Sequence, residues 1–347
     1  MTTVKMVKLG TLIKPAKLQK CGNDDYPVLS MTMHNGLVFQ SDKFKKSVAS
    51  QDKSTYKVVH RNQLVIGFPI DEGVLATQRI TDVGIVSPAY GIWDVDQTKI
   101  VPEFLEYALR CNRAIDYYKA KLRGSTARRR SLPTPTLLEL DVPLPDIEQQ
   151  KLALTTIHHA KNALDSRQAQ LTKLDELIKA RFVELTENVN TVPTRMGDIA
   201  TYINGYAFKP TDWKESGLPI IRIQNLNDAT ARYNYFDGKI DSKYLVTTGD
   251  ILVSWATHLE AYIWNGNRAW LNQHIFKVLF NKIPINKIYF VYATEDALRQ
   301  AFKNAHGFKP TMEHIKRSDF ENAIVKLPPM EIQNQFADFV AEVDKSK

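Results

Sequence analysis

Arg123-Gly124-Ser125-Thr126-Ala127-Arg128-Arg129-Arg130-Ser131 packs four arginines and three hydroxyls into nine residues, ahead of Pro133 and Pro135. Guanidinium forks grip phosphate bidentately or read guanine O6 and N7, and hydroxyls donate to phosphate oxygens. The spacing predicts an exposed loop that contacts a polyanion through Arg123, Ser125, Thr126, Arg128, Arg129 and Arg130; the alternative is a solvated turn. A less basic counterpart surrounds Gly307, with His306, Lys309, Thr311, His314, Lys316 and Arg317. Asn204-Gly205-Tyr206-Ala207-Phe208-Lys209 and Arg222-Ile223-Gln224-Asn225 combine aromatic, amide and basic groups. Asn and Gln pair bidentately with adenine and Arg with guanine, so Tyr206, Lys209, Arg222 and Asn225 are candidate base or phosphate contacts. The competing readings are a core Phe208 and an Arg222 on a solvated strand face. Trp255-Ala256-Thr257-His258 follows an apolar run, which makes Trp255 and His258 either a base-contacting loop or a hydrophobic lid. Arg61, Gln78 and Arg79 are weaker candidates, and Lys43, Lys45 and Lys46 read as a solvated run.

Catalytic chemistry is hard to place. There is no G-x-x-x-x-G-K-[ST] loop for a triphosphate and no glycine-rich dinucleotide turn. An Asn/Asp-Pro-Pro-Tyr/Phe sequence is also missing. Asp146, Glu148 and Lys151 resemble a nuclease cluster only superficially, and Asp146 before an apolar run reads as a helix N-cap. His158 and His159 are adjacent on a helix and face different ways. Without Cys or carboxylates at ligand spacing, His60, His258, His274 and His314 read as hydrogen-bonding residues. The expectation is a chain with no catalytic residue and no metal.

These groups must be positioned by something. Residues 146–187 contain no Gly or Pro, and Ile157, Leu164, Leu171, Ile178 and Leu185 recur every seven positions. That period predicts one long helix with an apolar seam, joined by Leu174 but interrupted by Arg167 and Arg181. At about 1.5 Å per residue it spans roughly 63 Å, so it must stand between domains and lean on a partner helix. The charge agrees: +7 for residues 1–145, −1 for 146–190, +4 for 191–328 and −2 for 329–347. The positive charge sits on two globular segments, as a polyanion-binding protein requires. Two cysteines among 347 residues are too few for a disulfide framework. No signal-like or 18-residue apolar stretch occurs, which predicts a cytoplasmic protein without a membrane partner.

The segment before the helix is echoed after it. Val7-Lys8-Leu9-Gly10 matches Thr194-Arg195-Met196-Gly197; Arg61-Asn62-Gln63-Leu64 matches Thr248-Gly249-Asp250-Ile251, a turn into a buried strand. Strands over 84–95 and 270–280 each lead into a helix, over 102–118 and 286–302. Each half then closes with a glycine turn, a strand, a proline pair and a helix start. The expected organisation is a mixed α/β (α+β) domain at 1–145, the helix at 146–190, a second such domain at 191–328 and a shortened helix at 329–347.

The paired closing elements "RGSTARRRSL…VPLPDIEQQKLA" and "AHGFKPTMEHI…VKLPPMEIQNQFA", with "NGYAFKPTDW…GLPIIRIQN", resemble the specificity subunits of type I restriction-modification systems. That resemblance implies two tandem target recognition domains separated by a coiled-coil-type helix. It implies a non-catalytic subunit that reads an asymmetric, bipartite duplex DNA target. Its partners would be methyltransferase subunits, two per chain, and restriction subunits. S-adenosylmethionine, ATP and magnesium would be held by those partners and no cofactor by this chain. One departure stands out: the last helix, about 330–344, is short for full pairing with the first. A stand-alone DNA-binding protein, or a decoy that sequesters methyltransferase subunits, is the rival reading.

Overall fold

The computed structural model describes residues 4–33, 35–43, 52–122, 132–187, 189–228, 230–257, 259–306 and 315–347, with the backbone alone for 43 and 304–306. Two compact units form, Met1–Asp165 and Ser166–Lys347.

In the first unit, the strand Met6–Lys8 pairs antiparallel with Asp141–Pro143, so the strand that ends the domain lies against the one that opens it. An antiparallel sheet runs in the order Ile13–Pro15, Gly91–Val95, Leu64–Ile66, Leu75–Thr77. The second unit repeats this arrangement. Val192–Arg195 pairs with Ile324–Leu327, and the sheet order is Thr201–Asn204, Ile275–Leu279, Ile251–Ser254, Glu260–Ile263. The repeat extends to backbone conformation. Asn62 and Gly249, two residues before equivalent strands, hold positive φ values of 70° and 86°. Beside them Gln63 Oε1 accepts from the His60 amide and Asp250 Oδ2 from the Thr247 amide, each at 2.8 Å. Gly and Asn are the residues that enter this left-handed region with least strain.

The second unit adds a mixed sheet, Asn234–Phe236, Leu218–Ile221, Ala269–Leu271, Leu245–Val246, whose central pair is parallel. The expected strand over 270–280 is therefore two strands in two sheets, parted by a turn in which the Ile275 amide donates to Asn272 O. The strand over 84–95 likewise divides into Val83–Val86 and Gly91–Val95, because Tyr90 N closes a turn on Ser87 O. The helix expected over 102–118 breaks at Cys111, whose ψ of 157° is extended. It forms Pro102–Arg110 and Asn112–Lys121, and the break lets fully buried Tyr118 donate to Leu109 O.

The long helix runs Ile147–Glu187, and Asp146 accepts the Gln149 amide at 2.8 Å as its N-cap. In the first unit its opening turn is fixed by Gln150, which is fully buried. The Gln150 side chain accepts from Val101 N at 2.8 Å and donates to Pro145 O and Lys99 O. Gln333 repeats this in the second unit: it accepts from Asn286 N at 2.9 Å and donates to Pro328 O at 2.8 Å. Each amide thus satisfies backbone groups at a helix start that water cannot reach.

Of the seven-residue seam, Ile178 and Leu185 are buried and Leu174 packs against the second unit's core. The closing helix Met330–Ser346 supplies Phe336, Val340 and Val343 to that core. Phe182 joins them, with ring centroids 5.2 Å from Tyr289 and 5.3 Å from Phe336. Burying such a ring contributes about 1.5–3 kcal/mol, and edge-to-face pairing adds about 0.5–1.5. Ile157 and Leu171 are half-buried, whereas Leu164 is 72% exposed. The seam read from the sequence is therefore buried over only part of its length. The two seam arginines find polar partners: Arg167 donates to Lys347 O, and Arg181 bonds Glu184 and lies over the Phe339 ring.

Candidate nucleic-acid interface

Of the second unit's described candidates, Arg222, Trp255 and Lys316 lie at one end of its sheet. Ile251–Ser254 runs out into Trp255, whose carbonyl accepts from the amide of Ile315, the residue that follows 307–314. The segment around residue 316 and the segment at 255–257 therefore meet at this end. Trp255 stacks on Phe276 and meets His274 edge-on at 5.2 Å, so it belongs half to the core and half to the surface. Lys316 is exposed beside buried Ile315.

On the same end lies a cleft of about 380 Å³ lined by Arg222, Gln224, Asn227, Thr257, Asn272 and His274, with Ile223 and Ile275 completing the wall. Six of its eight lining residues carry polar side chains, although most of the exposed lining is apolar, and no carboxylate is among them. Thr257 adopts φ +65° here, which is uncommon for a β-branched side chain and is tolerated where surrounding structure enforces it. Arg222 is half-buried, its Nη1–H donating to Asn234 Oδ1 at 3.2 Å and its guanidinium 5.3 Å above the Trp213 ring. Asn225 is buried beneath it. Its Oδ1 accepts the Arg222 amide and its Nδ2 donates to Ala231 O and Arg232 O. The amide expected to read a base thus holds the loop that presents Arg222. Asn227 sits 2.5 Å from the Tyr262 hydroxyl, which also contacts Glu260 at 2.9 Å. Burial, then the Glu260 charge, pushes the Tyr262 phenol far above its ordinary pKa, so it stays protonated.

Gly205 explains how the Asn204–Lys209 stretch reaches this region. A Cβ there would lie 2.1 Å from Asn272 O, so only glycine permits the approach. Tyr206 then bridges Asn272, and its ring packs edge-on against Phe208 and Tyr244. Phe208 is buried, as its core reading anticipates. Tyr206 is half-buried in this aromatic group, whereas Lys209 is exposed, its amide bonded to Asp212.

In the first unit, Arg61 pairs with Asp82 and donates to Arg79 O, and Gln78 is fully buried, bonded to Ile80 N and Thr81 O. Arg79 pairs with Glu103 at 2.5 Å and lies 3.6 Å from Glu106. Glu103 also meets His158 at 2.9 Å, and Glu106 accepts from the Thr77 amide and hydroxyl. Arg79 is thus tied to carboxylates of the helix Pro102–Arg110, whereas Arg61 and Gln78 are held by the turn at 78–82. Arg123, Ser125, Thr126, Arg128, Arg129, Arg130, His258, Lys309, Thr311 and His314 lie outside the described residues, as do Lys45 and Lys46. Among the described residues no group of three His, Cys, Asp or Glu side chains is arranged for a metal. No helix among them is long and apolar enough to cross a membrane.

Sequence reasoning missed Asn227 and Asn272, and it read His274 only as a generic hydrogen-bonding residue. Nothing in their local sequence marks them, because they meet only through sheet pairing. Gln150 and Gln333 carried a signal: both stand five residues after a proline that precedes a helix.

Comparison with known proteins follows the same lines. Residues 188–347 match the family described as Type I restriction modification DNA specificity domain. The specificity subunit of the Escherichia coli type I restriction enzyme EcoBI is 28% identical over 158 residues, 44% of this chain and 33% of that protein. The chain spans about a third of the length of the curated relatives it matches. Among solved structures, a chain from a type I R-M system study of complex assembly and conformational transition gives a TM-score of 0.55 at 14% identity. That match covers 100% of this chain and 91% of the other. The S subunit from M. genitalium gives 0.52 at 14% identity with the same coverage, and both likenesses concern the fold. The resemblance read from the closing motifs is thereby supported: residues 188–347 match the type I DNA specificity domain, and the chain shares its fold with solved type I specificity subunits.

Proposed function

We propose that this chain is the non-catalytic DNA-specificity component of a type I restriction-modification system and reads an asymmetric, bipartite duplex target. The observation that carries the reading is the convergence, at one end of the second sheet, of a carboxylate-free cleft with the segments at 255–257 and 315–316. That end lies within the residues that match a DNA specificity domain. Side chains there suit base edges and phosphates. The first half repeats the scaffold but not the side chains, so each half reads a different half-site. The helices recruit two methyltransferase subunits and, through them, restriction subunits. S-adenosylmethionine, ATP and magnesium act on those partners in the cytoplasm.

The test is selection of duplex DNA from a random pool by the chain purified with its cognate methyltransferase subunit. The expected result is a split motif with unequal halves and a gap of unread bases. Enrichment of no motif by a stable complex overturns the reading, and methyl transfer by the chain alone overturns its non-catalytic part.

A further inference from the structure

Arg222 is built more carefully than a phosphate contact requires. A guanidinium fork can grip a phosphate from many directions, whereas a base edge fixes both the plane and the position of the fork that reads it. Here the guanidinium is tethered to Asn234 Oδ1 and laid over Trp213, while Asn225 clamps its backbone. Ordering a long side chain costs rotamer entropy before any ligand arrives, so the bound partner meets a preformed fork.

The neighbouring amide has a fixed polarity. Asn272 Oδ1 accepts the Gln273 N–H at 2.9 Å, and a backbone N–H can only donate, so Nδ2 is the end left to the cleft. Arg222 and Asn272 therefore present donors. Guanine offers two acceptors, O6 and N7, on its major-groove edge. Adenine places an N6 amino donor where guanine has O6, and that donor would face donors here.

On the reading that this chain recognises DNA sequence, we propose that Arg222, positioned by Trp213 and Asn234 and assisted by Asn272, specifies one guanine in the half-site read by the second unit. Asn225 is a positioning residue within this device.

The experiment is the same random-pool selection with the chain and its methyltransferase subunit, comparing the unaltered chain with Arg222→Gln, Arg222→Lys and Asn272→Ala. The expected result for the unaltered chain is a required guanine at one position. Arg222→Gln relaxes that position or converts it to adenine, with discrimination falling roughly ten- to hundredfold, and leaves the other half of the motif unchanged. Asn272→Ala weakens the same position to a smaller degree. If Arg222→Gln does not fold, as judged by its melting curve, Arg222→Lys gives the same readout, since lysine keeps the charge and loses the fork. An unchanged motif with uniformly weaker binding and a shallower salt dependence would assign Arg222 to a phosphate and overturn the proposal. An unaltered complex that enriches no motif would instead defeat the underlying DNA-specificity reading.

Discussion

The two halves agree at one end of their sheets and part company at the other. At the shared end, Asn62 and Gly249 make the same left-handed turn, Gln63 and Asp250 accept the same amide, and Gln150 and Gln333 tie the same helix start. At the far end the first half runs into Gly67, half-exposed Phe68 and Tyr90, whose carbonyl accepts from Lys57. The second half places Trp255 there against His274, and Thr257, Asn272 and His274 line a cleft with Arg222. Backbone amides that must be satisfied in the same place demand the same solution, whereas side chains that meet a ligand are free to differ. The divergence of the far ends is what two different half-sites would require.

The trailing helices sharpen this comparison most. Phe182→Ala should destabilise the second unit by about 3–5 kcal/mol, seen as a large fall in its melting temperature. The positions in the first unit that correspond to Tyr289 and Phe336 are Phe104 and Ala153, so no equivalent three-ring group exists there. Next in size, Gln150→Ala and Gln333→Ala should each cost about 1–3 kcal/mol by stranding buried backbone groups. Denaturant midpoints should fall by similar amounts; a large inequality would break the equivalence of the two junctions. Gly249→Val should cost about 1–2 kcal/mol through its positive φ alone, since the space around it is open, while Gly249→Asn should cost much less. Smallest of all, Arg61→Ala should shift stability by about 1 kcal/mol or less, because its partner Asp82 is 89% exposed. The same variant should leave the selected DNA motif intact.

Features with a local period or a local cap were legible in the sequence. The seven-residue recurrence located the long helix, which starts at Ile147 and ends at Glu187, three residues before the expected 190, and Asp146 was recognisable as its cap. The repeat was legible because it preserves turns and proline pairs. The extent of burial was not: Leu164 fits the heptad yet is 72% exposed, since a period says which face is apolar but not what covers it. Gln150 and Gln333 were marked only by standing five residues after a proline that precedes a helix, because an amide in a first helical turn otherwise looks like any solvated polar residue. Asn225 was read as a base contact on residue type, whereas burial turns its amide inward to the loop. Arg79 and Gln78 suggested a surface reader, but carboxylates fifty residues or fewer away in sequence claim Arg79, and Gln78 is used by its own turn. Asn227, Asn272 and His274 become neighbours only when two sheets form, and no spacing announces that.

The most direct measurement exchanges residues 1–145 for those of a relative with a different target. The chimera is co-expressed with the methyltransferase subunit, and N6-methyladenine is mapped genome-wide by single-molecule sequencing. Two independent readers on one repeated scaffold predict a split motif in which one half changes and the other persists. An undivided motif, or a change in both halves at once, would contradict that account.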